Sequence, residues 1–230
     1  YNITIGAKKK VVDLGLDAWG GNRRVVAKFK ERAAKARARL KKTWGVVKKC
    51  SKTKILIRTG SEASWRYGVE AYGVADSAIA NLRSATAAAA GVGGVQGCPI
   101  TTVMLELGPE GDPLTVATRA SITWWVGHWI DNQPSRNMCR KVWKITHQEL
   151  VKPEGPRWAK VCGPIGTVIA NLTRVGWTCL EPDSWITNNG EVWEILVDTP
   201  AGTKPNLKPI ADRINKACED QLAKKASLHR

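Results

Sequence analysis

The sequence predicts a mainly α-helical protein that also contains one small β-hairpin. Apolar residues recur at steps of three and four along most of the chain, which is the helical period. Only one stretch, SWITNNGEVWEILV, combines strand-forming residues with a central turn sequence. With 230 residues, of which 43% are hydrophobic, the chain is long enough to bury a real core in one large or two small domains.

Residues 8–21 begin the chain's predicted structure with a short β-prone run that ends at a Gly-Gly break, so we expect a strand followed by a turn. The clearest helix follows, with Asn22 as a plausible N-cap and Gly45 as its stop. Its apolar positions fall on one stripe. They are Val25, Val26, Phe29, Ala33, Ala36, Leu40 and Trp44.

This helix is also the main source of charge. Residues 1–60 contain 18 Lys or Arg and 3 Asp or Glu, whereas the other 170 residues contain 18 and 17. Like charges at helical spacing repel one another by a few tenths of a kcal/mol per pair, and Glu31 is the local acid that can relieve this repulsion. The excess predicts a polyanionic or acidic partner for the helix.

Four helical segments with one connection fill the middle of the chain. We expect a helix over 52–72, a second helix capped by Asp76 and closing on Gly91, and a short helix over Pro99–Leu107. The glycine-rich GVGGVQG segment lies between the second and third of these helices. We expect it to be a connection, because it lacks the Lys-Ser/Thr ending of a phosphate-binding loop. After a turn at 108–113, Asp112 and Pro113 open a fourth helix.

The second half holds eight of the eleven tryptophans. We expect Trp124, Trp125 and Trp129 to be core rather than a base-stacking surface, because no basic cluster lies near them in the sequence. Ser135 starts a helix through Leu150. Its predicted inward face is Met138, Val142, Ile145 and Leu150.

The remaining segments are two helices separated by the hairpin. Pro164 lies in the first turn of a helix that stops at Gly176 and turns Ile165, Val168, Ile169, Leu172 and Val175 inward. The hairpin runs from Trp185 through a turn at 188–190 to Val197. The final helix presents Leu207, Ile210, Ile214, Ala217 and Leu222.

No catalytic or metal motif is present in the sequence. The six cysteines contain no CxxC pair, so we expect buried reduced thiols. The three histidines form no HxxxH pair, and no GxSxG elbow or adjacent pair of aspartates occurs. No apolar run reaches 18 residues and no signal-peptide core precedes the first strand, which predicts neither a membrane span nor secretion.

Three segments in order resemble the region after the polymerase palm in reverse transcriptases of LINE-type (non-LTR) retrotransposons. They are KVVDLGLDAWGGNRR, the basic helix, and KTKILIRTGSEASWRYGVEAYGVADSAIANLR. Val12 to Leu16 match the strand that closes the palm, and Tyr67, Gly68 and Glu70 match the YGxE motif of the thumb, although Ala63 and Ser64 replace its usual proline. RWAKVCGPIGTVIANLTRVGW is similar to a segment after the thumb in diverged protist elements.

The resemblance implies a helical, thumb-like bundle that lacks the catalytic palm. Residues 1–21 would end the palm, 22–111 would form the thumb-like region, and 112–230 a tryptophan-rich connection. The opening on Tyr1, without an initiator Met, is what we expect of a fragment. The family's catalytic aspartates have no match here, so this segment would have no catalytic residue and no metal or cofactor of its own, and magnesium would belong to the missing palm.

The function implied is a grip on the backbone of an RNA or DNA template-primer, next to an upstream palm domain, in the cytoplasm or nucleus. The expected nucleic-acid-binding residues are Arg23, Arg24, Lys28, Arg32, Lys35, Arg39 and Lys42. The alternative is a standalone helical interaction protein whose basic helix binds an acidic protein or an anionic membrane surface.

Overall fold

The computed structural model describes residues 10–13, 16–19, 24–47, 49–90, 97–131, 135–151, 156–195 and 206–228. Within them the protein is mainly helical and carries two small antiparallel hairpins. The predicted glycine-rich connection, residues Asn22 and Arg23, and the expected end of the second hairpin at Val197 lie outside the described residues.

The first described elements are two paired strands where one strand was expected. β1 (Lys10–Asp13) pairs antiparallel with β2 (Leu16–Trp19), with Lys10 opposite Trp19 and Asp13 opposite Leu16. Val12 and Leu16, predicted within a single strand, therefore lie on different strands of a hairpin. β2 also contacts the basic helix.

The basic helix is α1 (Ala27–Val47). It passes through Gly45, the predicted stop, and ends two residues later; a glycine inside a helix costs only about 1 kcal/mol, so it does not by itself end one. Phe29, Ala36 and Leu40 of the predicted stripe are buried, as expected. Trp44, by contrast, is 48% exposed.

The predicted 52–72 helix is a series of short helical pieces. A 3-10 turn (Ser51–Lys54) and a π-helical segment (Ile57–Glu62) lead into α2 (Ala63–Arg66) and α3 (Val69–Tyr72). α2 and α3 are separated at Gly68, whose φ of 77° lies in the left-handed region. α1 packs against the π-helical segment, against α2 and, most extensively, against α4 (Asp76–Ala89).

Asp76 is the first residue of α4 rather than its cap; Ala75 stands at the cap position and no side-chain cap bond forms. α5 spans Pro99–Leu107 as predicted and leads through a 3-10 turn, Pro109–Gly111, into α6 (Pro113–Asp131). Here the predicted cap is confirmed, because an Asp112 carboxylate oxygen accepts the Leu114 N–H at 2.8 Å.

α6 is the central helix. It contacts α3, α9 (Gly163–Arg174) and α10 (Lys208–Ser227) and is buried on nearly all sides, as an apolar helix in a core should be. Trp125 and Trp129 are 1% exposed, which confirms the core prediction for them. The inward residues predicted for α9 and α10 are buried or packed against the core.

α7 (Arg136–Val151) packs on α9 through a face other than the predicted one. Trp143 and Leu150 are buried, whereas Met138, Val142 and Ile145 are exposed. The prediction for those three was therefore wrong. Their spacing places them on one side of the helix, but the bulky Trp143 lies on the side that meets α9.

A short helix, α8 (Arg157–Lys160), precedes α9, and the second hairpin follows it. β3 (Ser184–Ile186) pairs with β4 (Val192–Glu194) around a turn in which Gly190 has a φ of 81°. The main core joins side chains from α1, α3, α4, α6, α7, α9, α10 and this hairpin in one cluster. Six cysteines are free, but Cys50 and Cys162 are exposed, so the expectation of buried thiols was wrong for these two.

Candidate nucleic-acid interface

α1 presents basic side chains on both sides of its buried face. At 100° per residue, Lys28, Arg32, Lys35, Arg39 and Lys42 fall on one side; we call these five residues the basic flank. Lys30, Arg37 and Lys41 fall on the opposite side and are exposed. All five residues of the basic flank were predicted to bind nucleic acid.

Two lysines of the basic flank share one acid. Glu31 lies 2.8 Å from the Lys35 ammonium and 3.0 Å from that of Lys28. The hydrogen bonds from Lys35 and then Lys28 lower the pKa of Glu31 to about 2. Glu31 thus relieves repulsion within the flank, as predicted, and it also competes with any phosphate for these two lysines.

The two arginines of the flank are oriented by the elements that α1 packs on. Arg32 donates to the Tyr72 hydroxyl and lies 5.1 Å from the centre of the Tyr67 ring. Arg39 donates to the carbonyl of Gly60 at 3.2 Å. A guanidinium carries five N–H donors in a fixed fork, so a contact of this kind positions the group without using all of its donors.

Arg24 has a different environment from the flank. Its Nε donates to the Tyr72 carbonyl at 3.0 Å and its terminal nitrogen to the Gly73 carbonyl. Its guanidinium also lies 5.4 Å from the centre of the Trp158 ring. Burial lowers the pKa of Arg24 to about 10. Because Arg24 is partly buried against these groups, we do not include it in the basic flank, and its role in binding nucleic acid stays a prediction.

Arg174 approaches the same tryptophan, 4.1 Å from the ring centre. It donates to the Val74 carbonyl, and its Nε lies 3.1 Å from one Asp76 carboxylate oxygen. The other Asp76 carboxylate oxygen accepts the Trp158 indole N–H at 3.1 Å. Burial lowers the pKa of Arg174 to about 10 as well. Trp158 and its two arginines therefore connect the segment just before α1 with α4, α8 and α9.

The residues of the YGxE motif lie beside the basic flank. Tyr67 is 52% exposed, and Gly68 supplies the positive φ that lets the chain turn from α2 into α3. Tyr67, Gly68 and the half-buried Glu70 line a cavity of about 600 Å³. The other residues that line it are Ala63, Arg66, Ala71, Trp124 and Pro164.

Trp124 also lines this cavity, so the prediction that it belongs to the core was wrong. It is 41% exposed, and its ring stacks on that of His128 with centroids 5.0 Å apart and an angle of 8° between the planes. The sequence carries no clear signal for this exposure, because α6 is apolar around most of its circumference and adjacent residues elsewhere on it are both buried.

Neither a metal group nor a membrane span was found in the parts of the chain that the structure describes. No three His, Cys, Asp or Glu side chains come together there as a possible metal site. None of the described helices combines the length and apolar character needed to cross a bilayer.

In comparisons with known proteins, no family model, curated protein or solved structure matches the chain.

Proposed function

We propose that this chain is a non-catalytic segment that grips the backbone of a template-primer, as the thumb and connection of a reverse transcriptase would. The observation that carries the proposal is the basic flank of α1. Five basic side chains lie along one side of a single helix, next to the apolar face that is anchored in the core. A row of cations on a helix that is packed in the core suits a polyanion with regularly spaced charges.

The chemistry of the flank favours contact with phosphates rather than with base edges. Lys28, Lys35 and Lys42 are spaced seven residues apart, about 10 Å along the helix axis for each step. Phosphate contacts of this kind give affinity without sequence preference, which a polymerase needs in order to move along its template. In this proposal the palm, with its aspartates and its magnesium, is supplied upstream.

The test is the salt dependence of binding to an RNA/DNA primer-template hybrid, measured with the full chain by fluorescence anisotropy. We expect log K to fall linearly with log [salt]. Replacing Lys35 and Lys42 with Gln should reduce the slope by about 0.9 for each phosphate that the variant no longer neutralises. These lysines are preferable to Arg32 and Arg39, because substituting the arginines would also break their hydrogen bonds to Tyr72 and Gly60.

A matched control is the double substitution of Lys224 and Lys225 with Gln, at the exposed end of α10. It removes the same charge from another helix and should leave the slope close to that of the parent. Equal slopes for the flank variant and the parent would contradict the proposal. Binding to anionic vesicles in place of the hybrid would instead favour the membrane-surface alternative.

The absence of catalysis is tested separately. With magnesium or manganese, the purified chain should not extend a primer, because the sequence holds no adjacent pair of aspartates. Robust extension by this chain alone would overturn the non-catalytic assignment while leaving the binding proposal in place.

A further inference from the structure

Two partly exposed aromatic rings line the same cavity beside the basic flank. Tyr67, between α2 and α3, is 52% exposed, and Trp124, in the second half of α6, is 41% exposed. Both contribute to the cavity of about 600 Å³, which is mostly apolar apart from Arg66 and Glu70. This volume is within the range of about 300–1,000 Å³ that is usual for small-molecule sites.

Each ring is held in place by a neighbour on the protein. Trp124 stacks on His128, nearly parallel, with ring centroids 5.0 Å apart. The Arg32 guanidinium, itself bonded to the Tyr72 hydroxyl, lies 5.1 Å from the Tyr67 centroid. Both rings are partly exposed and line the cavity, so a planar ligand in the cavity can contact them. Rings that are already oriented lose less side-chain entropy on binding.

The charges around the cavity favour a nucleotide over an uncharged aromatic ligand. Arg32 belongs to the basic flank and also contacts Tyr67, so the flank leads directly to the cavity. Arg66 lines the cavity beside Tyr67. Glu70 adds a carboxylate, which can accept a hydrogen bond from the exocyclic amine of a base.

We propose that this cavity is a stacking site for an unpaired base of the nucleic acid strand whose phosphates follow the basic flank. The inference rests on the proposed function, since the base is part of the bound strand. The stacking site would extend the proposed ligands from paired duplex to nucleic acid with unpaired bases. Such ligands are single-stranded RNA or DNA, and the unpaired template beyond a duplex. Stacking on aromatic rings tolerates every base, so the site adds affinity without sequence preference.

The experiment compares the affinity of the full chain for a short oligothymidylate and for an abasic strand of equal length. Both strands carry the same phosphates, and only the first has bases. We expect the oligothymidylate to bind about 5- to 100-fold more tightly. Trp124→Leu should shrink this ratio towards one while leaving affinity for the abasic strand unchanged. Tyr67→Leu should shrink the ratio as well, but because Tyr67 contacts Arg32 of the basic flank, only the ratio is compared for this variant. Trp124→Phe should restore part of it.

Trp44→Leu is the matched control. Trp44 is 48% exposed and belongs to α1, but it lies outside this cavity and lines a separate groove with Arg37 and Lys41. Its substitution should leave the ratio at the parent value. Thermal melting of each variant shows whether it is folded, and the Tyr67 variant provides a second test if the Trp124 variant is not.

The two proposals fail in different ways. Salt-dependent binding of both strands at equal affinity would overturn the stacking site and leave the backbone grip standing. Loss of the ratio on substituting Trp44, with no effect at Trp124 or Tyr67, would place the stacking elsewhere and also overturn this inference. Absence of binding to either single strand would overturn the stacking site, whereas the backbone grip is decided separately by the titration with the primer-template hybrid.

Discussion

Arg83 and Asp112 form a buried, two-pronged ion pair that joins α4 to the start of α6. The Arg83 Nε and a terminal nitrogen lie 2.5 and 2.8 Å from the two carboxylate oxygens, and the side chains are 9% and 0% exposed. One of those oxygens also accepts the Leu114 N–H. Asp112 therefore neutralises a buried cation and caps the central helix at once.

Asp112→Asn should lower the free energy of unfolding by about 3–5 kcal/mol, because it leaves the Arg83 charge buried without its counter-ion. The amide keeps an oxygen that can cap α6, so the loss reports the ion pair more than the cap. Denaturant-induced unfolding provides the measurement. Glu191→Gln is the control: it breaks the exposed pair with Arg213 and should cost no more than about 1 kcal/mol. Similar losses for both variants would contradict this account.

Gly73→Ala should destabilise the protein by about 3 kcal/mol or more. Gly73 has φ 59° and ψ −175°, a region open almost only to glycine. A Cβ there would also lie 2.5 Å from the Trp158 ring carbon Cζ3. Gly190→Ala has a positive φ of 81° but no atom within 4 Å of the added carbon, so only about 1–2 kcal/mol is expected. If the two variants had equal free energies of unfolding, the Trp158 ring would be able to move away from the added carbon at little cost.

Glu31→Gln should strengthen binding to a primer-template and steepen its salt dependence. The substitution removes the carboxylate that pairs with the ammonium groups of Lys28 and Lys35, and each new phosphate contact adds about 0.9 to the slope. Anisotropy titrations at several salt concentrations measure both changes. Glu219→Gln, which removes a carboxylate beside Lys216 on α10 in the same i,i+3 arrangement, is the control. If the Glu219 variant raised affinity as much, the gain would come from net charge alone.

The helices with strong local signals could be predicted from the sequence. Asp112 and Pro113 specify the start of α6 because a cap and a first-turn proline act within a few residues. The bounds of α5 follow in the same way from Pro99. By contrast, the period of α7 defined a stripe of apolar residues but could not show which side meets α9, since that depends on residues distant in sequence.

The candidate site could be predicted only in part, for a related reason. Charge density located the basic flank, since it is a local property of α1. The pairing of Tyr67 with Trp124 across one cavity joins positions that no periodicity relates. Arg24 carries the same charge as the flank residues, yet it bonds to the carbonyls of Tyr72 and Gly73, and no helical wheel shows this.

The stack of Arg24, Trp158 and Arg174 has a consequence for dividing the chain into fragments. Arg24 lies just before α1, whereas Trp158 and Arg174 belong to α8 and α9. The segment that leads into the basic helix is therefore held by residues from the second half of the chain. A fragment that stops at Gly111 would contain every residue of the basic flank and also α4, against which α1 packs most extensively, but neither Trp158 nor Arg174. A fragment that keeps this stack intact must extend at least through Arg174.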